Sequence, residues 1–349
     1  ARLPSAVDSL YFGGGTPSLL SGTQVRLIFE CLRGEFELAA GAEVTLECAP
    51  GQLSDGTLEE LLRQGMNRIS FGVQSFVDAE SVAVGRLHTR QMCEEELTRV
   101  RAAGVGEINI DLIAGLPYQT EESWRFSVER AIASGVPHVS VYMLEVDEES
   151  RLGREMLEKG SRYHASAVPP EDAAAEWYQW ACEAFAAAGL QQYEISNFAR
   201  EGHRSRHNLK YWRREPYAGF GLDAHSMLRT DGGAVRFANG DDLDGYFDGG
   251  ETGSAALKRF GPAALEVEVV GSEQAFEESL FLGLRLNEGV ELDALRGRFG
   301  EAMMGAVMPA LLEVREAGLL EVENGWARLT GRGRMASNEV FSRLLVASA

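Results

Sequence analysis

Along this chain, short runs rich in β-branched and aromatic residues alternate with longer segments in which apolar residues recur at helical spacing. The short runs are SLYF (9–12), EVTLE (43–47), RISFGVQ (68–74), EINIDLI (107–113), HVSVYMLE (138–145) and YEIS (193–196). Between them lie DGTLEELLRQGM, EEELTRVRAAGV, EESWRFSVERAIASGV and AAAEWYQWACEAFAAAGL, each closed by a glycine or with one nearby. Helix C-termini commonly end this way, because glycine adopts the left-handed conformation freely. Strand, helix, strand, helix predicts a parallel α/β architecture. Units of about thirty to forty residues, each with its own β-branched run, fit a (β/α) barrel better than a helical solenoid.

The pattern changes after about residue 215. YAGFGLDAHSMLRTDGGAVRFANGDDLDGYFDGG is rich in Gly and Asp with aromatics spaced through it, and reads as loops, short strands and a connector. Helical spacing returns at SEQAFEESLFLGLRL and AVMPALLEVREAG, and LLEVENGWARLT then reads as two strands around an Asn-Gly turn. Helix, helix, hairpin is a winged-helix outline. The expected division is a partial TIM-like barrel over 1–215, a connector over 216–270 and a small winged-helix-like α+β domain over 271–349. Fold alone assigns no function, so the winged-helix outline does not imply DNA binding.

Charge narrows the partners. With 33 Lys and Arg against 53 Asp and Glu, the net charge of −20 argues against broad attraction to nucleic acid or to an anionic membrane face. No apolar run approaches the roughly eighteen residues of a membrane span, and ARLPSAVDSL lacks the features of a signal peptide, so a cytoplasmic protein is expected. Cys31, Cys48, Cys93 and Cys182 lie far apart with no CxxC pair and read as free thiols.

Ligand-binding residues of a parallel barrel gather at the C-terminal ends of its strands. Gly13, Gly14, Gly15 and Thr16 follow the first run, Glu47 ends the second, Gln74 the third, and Asp111 lies near the end of the fourth. Each alone is an ordinary turn or helix cap; at four successive strand ends they form a constellation. GGGTPS lacks the Lys-Ser/Thr of a phosphate-binding P-loop and the spacing of a dinucleotide-binding turn. A backbone cradle with Glu, Gln and Asp acceptors, and Arg86 for a carboxylate, suits an amino-acid ammonium and carboxylate with ribose hydroxyls nearby. S-adenosylmethionine fits that description.

In order, YFGGGTPS, TLECAP, RISFGVQSF, GRLHTRQ, INIDLIAGLPYQT, YEISNFAR, HNLKYW and YAGFGLDAHS resemble the radical S-adenosylmethionine proteins related to oxygen-independent coproporphyrinogen III oxidase. The chain is most similar to their HemW branch of heme chaperones. The resemblance implies S-adenosylmethionine contacts at Gly13, Gly14, Gly15, Thr16, Glu47, Gln74, Arg86 and Asp111, with Arg86 on the carboxylate. It also implies a [4Fe-4S] cluster held by a C-x-x-x-C-x-x-C loop. That loop is absent from this sequence, whose first strand matches the family's second, so its cysteines are expected upstream of residue 1 and no metal ligand for the cluster is assigned here.

HNLKYW carries the heme expectation. An iron porphyrin needs an axial donor and apolar walls, and in a helix His207 shares a face with Tyr211, beside Trp212. On residue type alone His207 reads as a helix-end histidine; because H-N-x-x-Y-W accompanies the heme-chaperone branch, the resemblance makes it the leading candidate for the heme iron, with His203, Tyr217 and His225 weaker. Relatives often have Pro-Gly at Leu222 and Asp223, so a different local turn is expected there. The resemblance favours a chaperone that binds heme and passes it to an unidentified acceptor protein; a coproporphyrinogen oxidase is the alternative. Two expectations concern mutations. Gly14→Val should weaken S-adenosylmethionine binding by obstructing the ligand, and His207→Ala should leave that binding alone.

Overall fold

The computed structural model describes residues 6–145, 164–230, 233–248 and 264–345. Two compact units divide the described chain, Ala6–His207 and the residues from Asn208 onward.

The first unit is built on a seven-stranded sheet. Strands β1 (Ala6–Phe12), β2 (Glu37–Cys48), β3 (Arg68–Gln74), β4 (Glu107–Ala114) and β5 (His138–Met143) pair in sequence order, all parallel. The four anticipated helices form at Asp55–Arg63, Arg90–Ala102, Glu121–Ala133 and Glu171–Ala187. A further helix, Gly22–Glu35, begins at a reciprocal cap between Ser21 and Gln24. The last predicted strand takes a different form. YEIS lies between β6 (Gln191–Gln192) and β7 (Asn197–Ala199); β7 pairs antiparallel with β5, and β6 pairs antiparallel with β7 at the edge of the sheet. Glu194 turns the chain there, accepting from the Ser196 N–H at 3.1 Å and from the Asn197 amide.

Side chains alternate across a strand with period two, so each strand divides its residues between two faces. Val44 and Leu46, Ile69 and Phe71, Ile108 and Ile110, and Val139 and Val141 are buried and apolar. Between them stand polar partners joined across the strands. At the foot, Arg68 Nε donates to Glu43 at 3.1 Å and Arg68 Nη2 to Glu107 at 3.3 Å. In the next layer, Asn109 Nδ2, with two hydrogens to donate, lies within bonding distance of Ser70 Oγ at 2.7 Å, Asp111 at 2.7 Å and Ser140 Oγ at 3.0 Å. Because that nitrogen donates, Asn109 Oδ1 accepts from His138 Nδ1 at 2.6 Å, and His138 Nε2 accepts from the Tyr193 hydroxyl at 2.9 Å. Burial, followed by the positive charge of Arg68, holds the His138 pKa well below its ordinary value, so this imidazole is neutral.

In the second unit, β8 (His225–Thr230), β9 (Gly233–Asn239) and β10 (Ala264–Val270) form an antiparallel sheet within the expected connector, whose residues 249–263 lie outside the described residues. The expected helices run Ser272–Arg285 and Glu301–Glu316. The expected hairpin pairs β12 (Leu320–Glu323) with β13 (Trp326–Leu329), and β11 (Val290–Glu291) completes the three strands. At its turn Asn324 and Gly325 both take positive φ, 51° and 81°, as a tight two-residue turn requires. Phe276, Leu280, Leu284, Val307, Leu311 and Val340 centre the core.

The neutral His138 fixes the sign of an acid effect. Below about pH 6.5 the unfolded chain takes up a proton that the folded chain refuses, so stability falls as pH drops, by at most about 1.4 kcal/mol per pH unit from this group. His138→Gln keeps a donor and an acceptor without the titration. Urea unfolding at pH 7 and pH 5.5 should show a smaller acid loss in the variant; equal losses would contradict a neutral buried His138.

Candidate functional site

The C-terminal ends of β1 to β4 bring the predicted residues together. Gly13, Gly14, Gly15 and Thr16 leave β1 as an exposed loop before the short 3-10 turn Pro17–Leu19. Gly14 and Gly15 take φ of +72° and +54°, and a Cβ on either would meet nothing within 4 Å. The strain of any L residue at such angles, about 1–2 kcal/mol, acts whether or not a ligand is present. Gly14→Val therefore probes the backbone conformation as well as the ligand. Gly13 is the glycine that clears space: a Cβ there would lie 2.7 Å from the Tyr11 ring and 3.2 Å from the Glu47 carboxyl carbon.

Glu47 is held from two sides. The Tyr11 hydroxyl donates to Oε1 at 2.7 Å and the Gly14 N–H to Oε2 at 3.2 Å. A carboxylate has about four acceptor positions, so capacity remains for an ammonium group. Burial, with the Glu47 charge next in weight, raises the Tyr11 pKa far above its usual value and keeps the phenol a donor.

Across the mouth, β3 breaks register with β4 between Phe71 and Gln74, and Gln74 takes φ of +65°. Bulges of this kind re-aim a side chain at the end of a strand. A Cβ on Gly72 would stand 3.2 Å from the Gln74 amide nitrogen and 3.9 Å from both terminal nitrogens of Arg86, so the missing side chain leaves room for both groups. The Gln74 carbonyl oxygen is buried without a hydrogen-bond partner. Asp111 accepts from Asn109 at 2.7 Å and from Ser70 at 3.2 Å. Burial pushes its carboxyl up to about 6 against the opposing hydrogen bonds, with the Glu47 charge adding to the rise.

These features suit S-adenosylmethionine: an anchored carboxylate for its ammonium, a guanidinium for its carboxylate, an unsatisfied buried amide and a side-chain-free cradle. The cluster finds no such fit. Cys48 and Cys93 are buried and pushed up to about 12 by that burial, Cys31 is exposed and Cys182 half-buried, and no metal-holding group occurs among the described residues.

His207 falls within the first unit. It lies in the helix Arg206–Trp212, whose start is tied to the foot of β2: Glu43 accepts from the backbone N–H of Arg206 at 3.0 Å and of His207 at 2.8 Å. The His207 ring lies 4.9 Å from that of Tyr11 at an interplanar angle of 20°, and its Nδ1 bonds Ser9 Oγ at 2.9 Å. Tyr211 and Trp212 are carried by the same helix but belong to the second unit. There Tyr211 meets Tyr217 edge-on at 4.8 Å, and Arg285 lies over the Trp212 ring at 4.3 Å.

Of the weaker candidates, His203 is engaged by Glu107 at 2.8 Å, Tyr217 pairs its backbone with Met227, and His225 is exposed at the start of β8. Asp223 takes φ of +56°. That is the left-handed region, which Gly enters freely and Asp more readily than most residues. Sequence reasoning missed Tyr11, Ser9, Glu43 and Gly72. Period two offered a signal, since Ser9 and Tyr11 share the phase of Gly13, and Gly72 that of Gln74.

Residues 2–131 match the radical SAM superfamily, and residues 271–336 match the HemN C-terminal domain. The heme chaperone HemW of Bacillus subtilis (strain 168) is 33% identical over 97% of this chain and 86% of its own length. The HemW of Escherichia coli (strain K12) is 30% identical over 97% of this chain and 84% of its own. A solved structure, the coproporphyrinogen III oxidase HemN from Escherichia coli, described as a radical SAM enzyme, has a TM-score of 0.81 at 22% identity, covering 97% of this chain and 78% of that one. That likeness is one of fold. Identity over nearly the whole length settles the closer relationship: the chain belongs to the HemW family, within the radical SAM superfamily.

Proposed function

We propose that this protein is a heme chaperone: it binds heme and passes it to an acceptor protein, on a radical SAM scaffold that holds S-adenosylmethionine. The observation that carries the reading is the His207 imidazole, fixed through its ring, its Nδ1 and its backbone N–H in a chain similar to HemW over 97% of its length. A half-buried imidazole held in this way is a preorganised donor for heme iron.

In this reading Glu47 accepts from the ammonium of S-adenosylmethionine, Arg86 pairs with its carboxylate, and Gln74 and Asp111 take its remaining polar groups. Gly13 and its neighbours let the backbone approach the methionyl end. Bound at a reduced cluster, S-adenosylmethionine is the source of radical chemistry in this superfamily. The chain's own residues orient it, with Glu47 itself positioned by the Tyr11 hydroxyl and the Gly14 N–H. No helix among the described residues is long and apolar enough to cross a membrane, and a cytoplasmic location is part of the proposal.

Two measurements test the assignments. Heme titration of the full-length protein, followed by absorption, should saturate without decarboxylation of coproporphyrinogen in a parallel assay. His207→Ala should weaken heme binding by about tenfold or more, a loss of about 1.4 kcal/mol. Turnover without stable heme binding would favour the oxidase instead. Separately, Gly13→Ala adds a Cβ that displaces Tyr11 and Glu47. It should weaken S-adenosylmethionine binding by about tenfold in a folded protein; unchanged affinity in equilibrium dialysis would remove this cradle from the site.

A further inference from the structure

The residues assigned to S-adenosylmethionine and the residue assigned to heme are joined by one side chain. Tyr11 presents its ring to His207, at 4.9 Å and 20° from parallel, and its hydroxyl to Glu47 Oε1, at 2.7 Å. Neither end is loose. His207 is tied at Nδ1 to Ser9 Oγ, and its backbone N–H to Glu43; Glu47 is tied through its other oxygen to the Gly14 N–H. The absent side chain of Gly13 is what lets the Tyr11 ring lie where it does, since a Cβ there would stand 2.7 Å from it. All these residues lie within Ala6–His207.

We infer that Tyr11 is a positioning residue linking the two sites: its ring takes its place from His207, and its hydroxyl sets the Glu47 carboxylate for the ammonium of S-adenosylmethionine. The inference deepens the proposed function and rests on its assignment of Glu47. Removing the His207 ring frees the Tyr11 ring on that side and loosens the carboxylate beyond it. Linkage is reciprocal, so occupation of His207 by heme and occupation of Glu47 by S-adenosylmethionine must each alter the affinity for the other by the same factor. His207→Ala is then not neutral toward the cofactor, contrary to the expectation that treated the sites as independent.

The test is S-adenosylmethionine affinity, measured by equilibrium dialysis without heme, on the full-length protein with its cluster reconstituted. Tyr11→Phe keeps the ring and loses the hydroxyl; His207→Ala loses the stacking ring; His207→Phe keeps a ring but has no iron donor. Each of the first two should weaken binding by about three- to tenfold, and their double variant should be no weaker than Tyr11→Phe alone, the non-additivity of residues acting through one contact. His207→Phe should recover affinity to within about twofold of wild type while still failing to ligate heme iron, a rescue that general damage to the fold would not give. Wild-type affinity in His207→Ala would overturn the inference. So would losses that multiply in the double variant. The heme assignment fails by a different sign, heme spectra indifferent to His207→Ala. Unchanged affinity in Glu47→Gln would overturn the inference by removing the carboxylate from the site.

Discussion

Glu43 is a carboxylate only 5% exposed, and the placement of the helix that carries His207 depends on what it holds. Taking such a charge out of water costs several kcal/mol unless partners satisfy it. Here Arg68 supplies the opposite charge, the Ser205 hydroxyl a further bond at 3.3 Å, and the first turn of the helix Arg206–Trp212 two backbone N–H donors. A carboxylate at a helix N-terminus also meets the favourable end of the peptide dipoles. The ion pair at the foot of the sheet is thereby also the anchor of the helix that carries His207. Loss of the carboxylate would leave Arg68 buried beside a single acidic partner, Glu107, and would release the helix at once.

The same economy runs up the strands. Glu43, Thr45 and Glu47 alternate with apolar residues on β2, and Arg68, Ser70, Gly72 and Gln74 do so on β3. The apolar phase supplies much of the buried core; the polar phase forms a stack whose foot is ionic, whose middle is the Asn109 and His138 network, and whose top carries Glu47 and Gln74 at the strand ends. A polar interior is unfavourable when only partly satisfied and rigid when fully satisfied. Most members have partners, and Gln74, at the mouth, has a buried oxygen with none. An unsatisfied buried amide at a strand end is a reason to expect a ligand there.

Much of this was legible in the sequence because it depends on local rules. The first five strands, four of the helices and the Asn-Gly hairpin follow from periodicity and from glycine at helix ends. The carboxylates and amide at the strand ends follow from the polarity of a parallel barrel. YEIS misled because its β-branched and aromatic residues lie in a turn made by the Glu194 side chain, a contact that propensity does not register. Gly14 was read for the room it leaves a ligand; its positive φ, and the close approach of Tyr11 and Glu47 to Gly13, are further constraints that the sequence did not display. The link between His207 and Tyr11 was illegible for a plainer reason: the residues are almost two hundred positions apart, and only the return of the helix to the foot of β2 brings them together.

A heme chaperone has to bind its cargo firmly enough to collect it and loosely enough to release it. In the proposed reading, the imidazole stacked on Tyr11 and bonded to Ser9 is a donor whose strength its neighbours can tune. Electron paramagnetic resonance of ferric heme bound to protein carrying 15N-labelled histidine tests the central claim directly. The account predicts an axial imidazole hyperfine coupling that disappears in His207→Ala. The same coupling retained in that variant would place the iron on another histidine and contradict it.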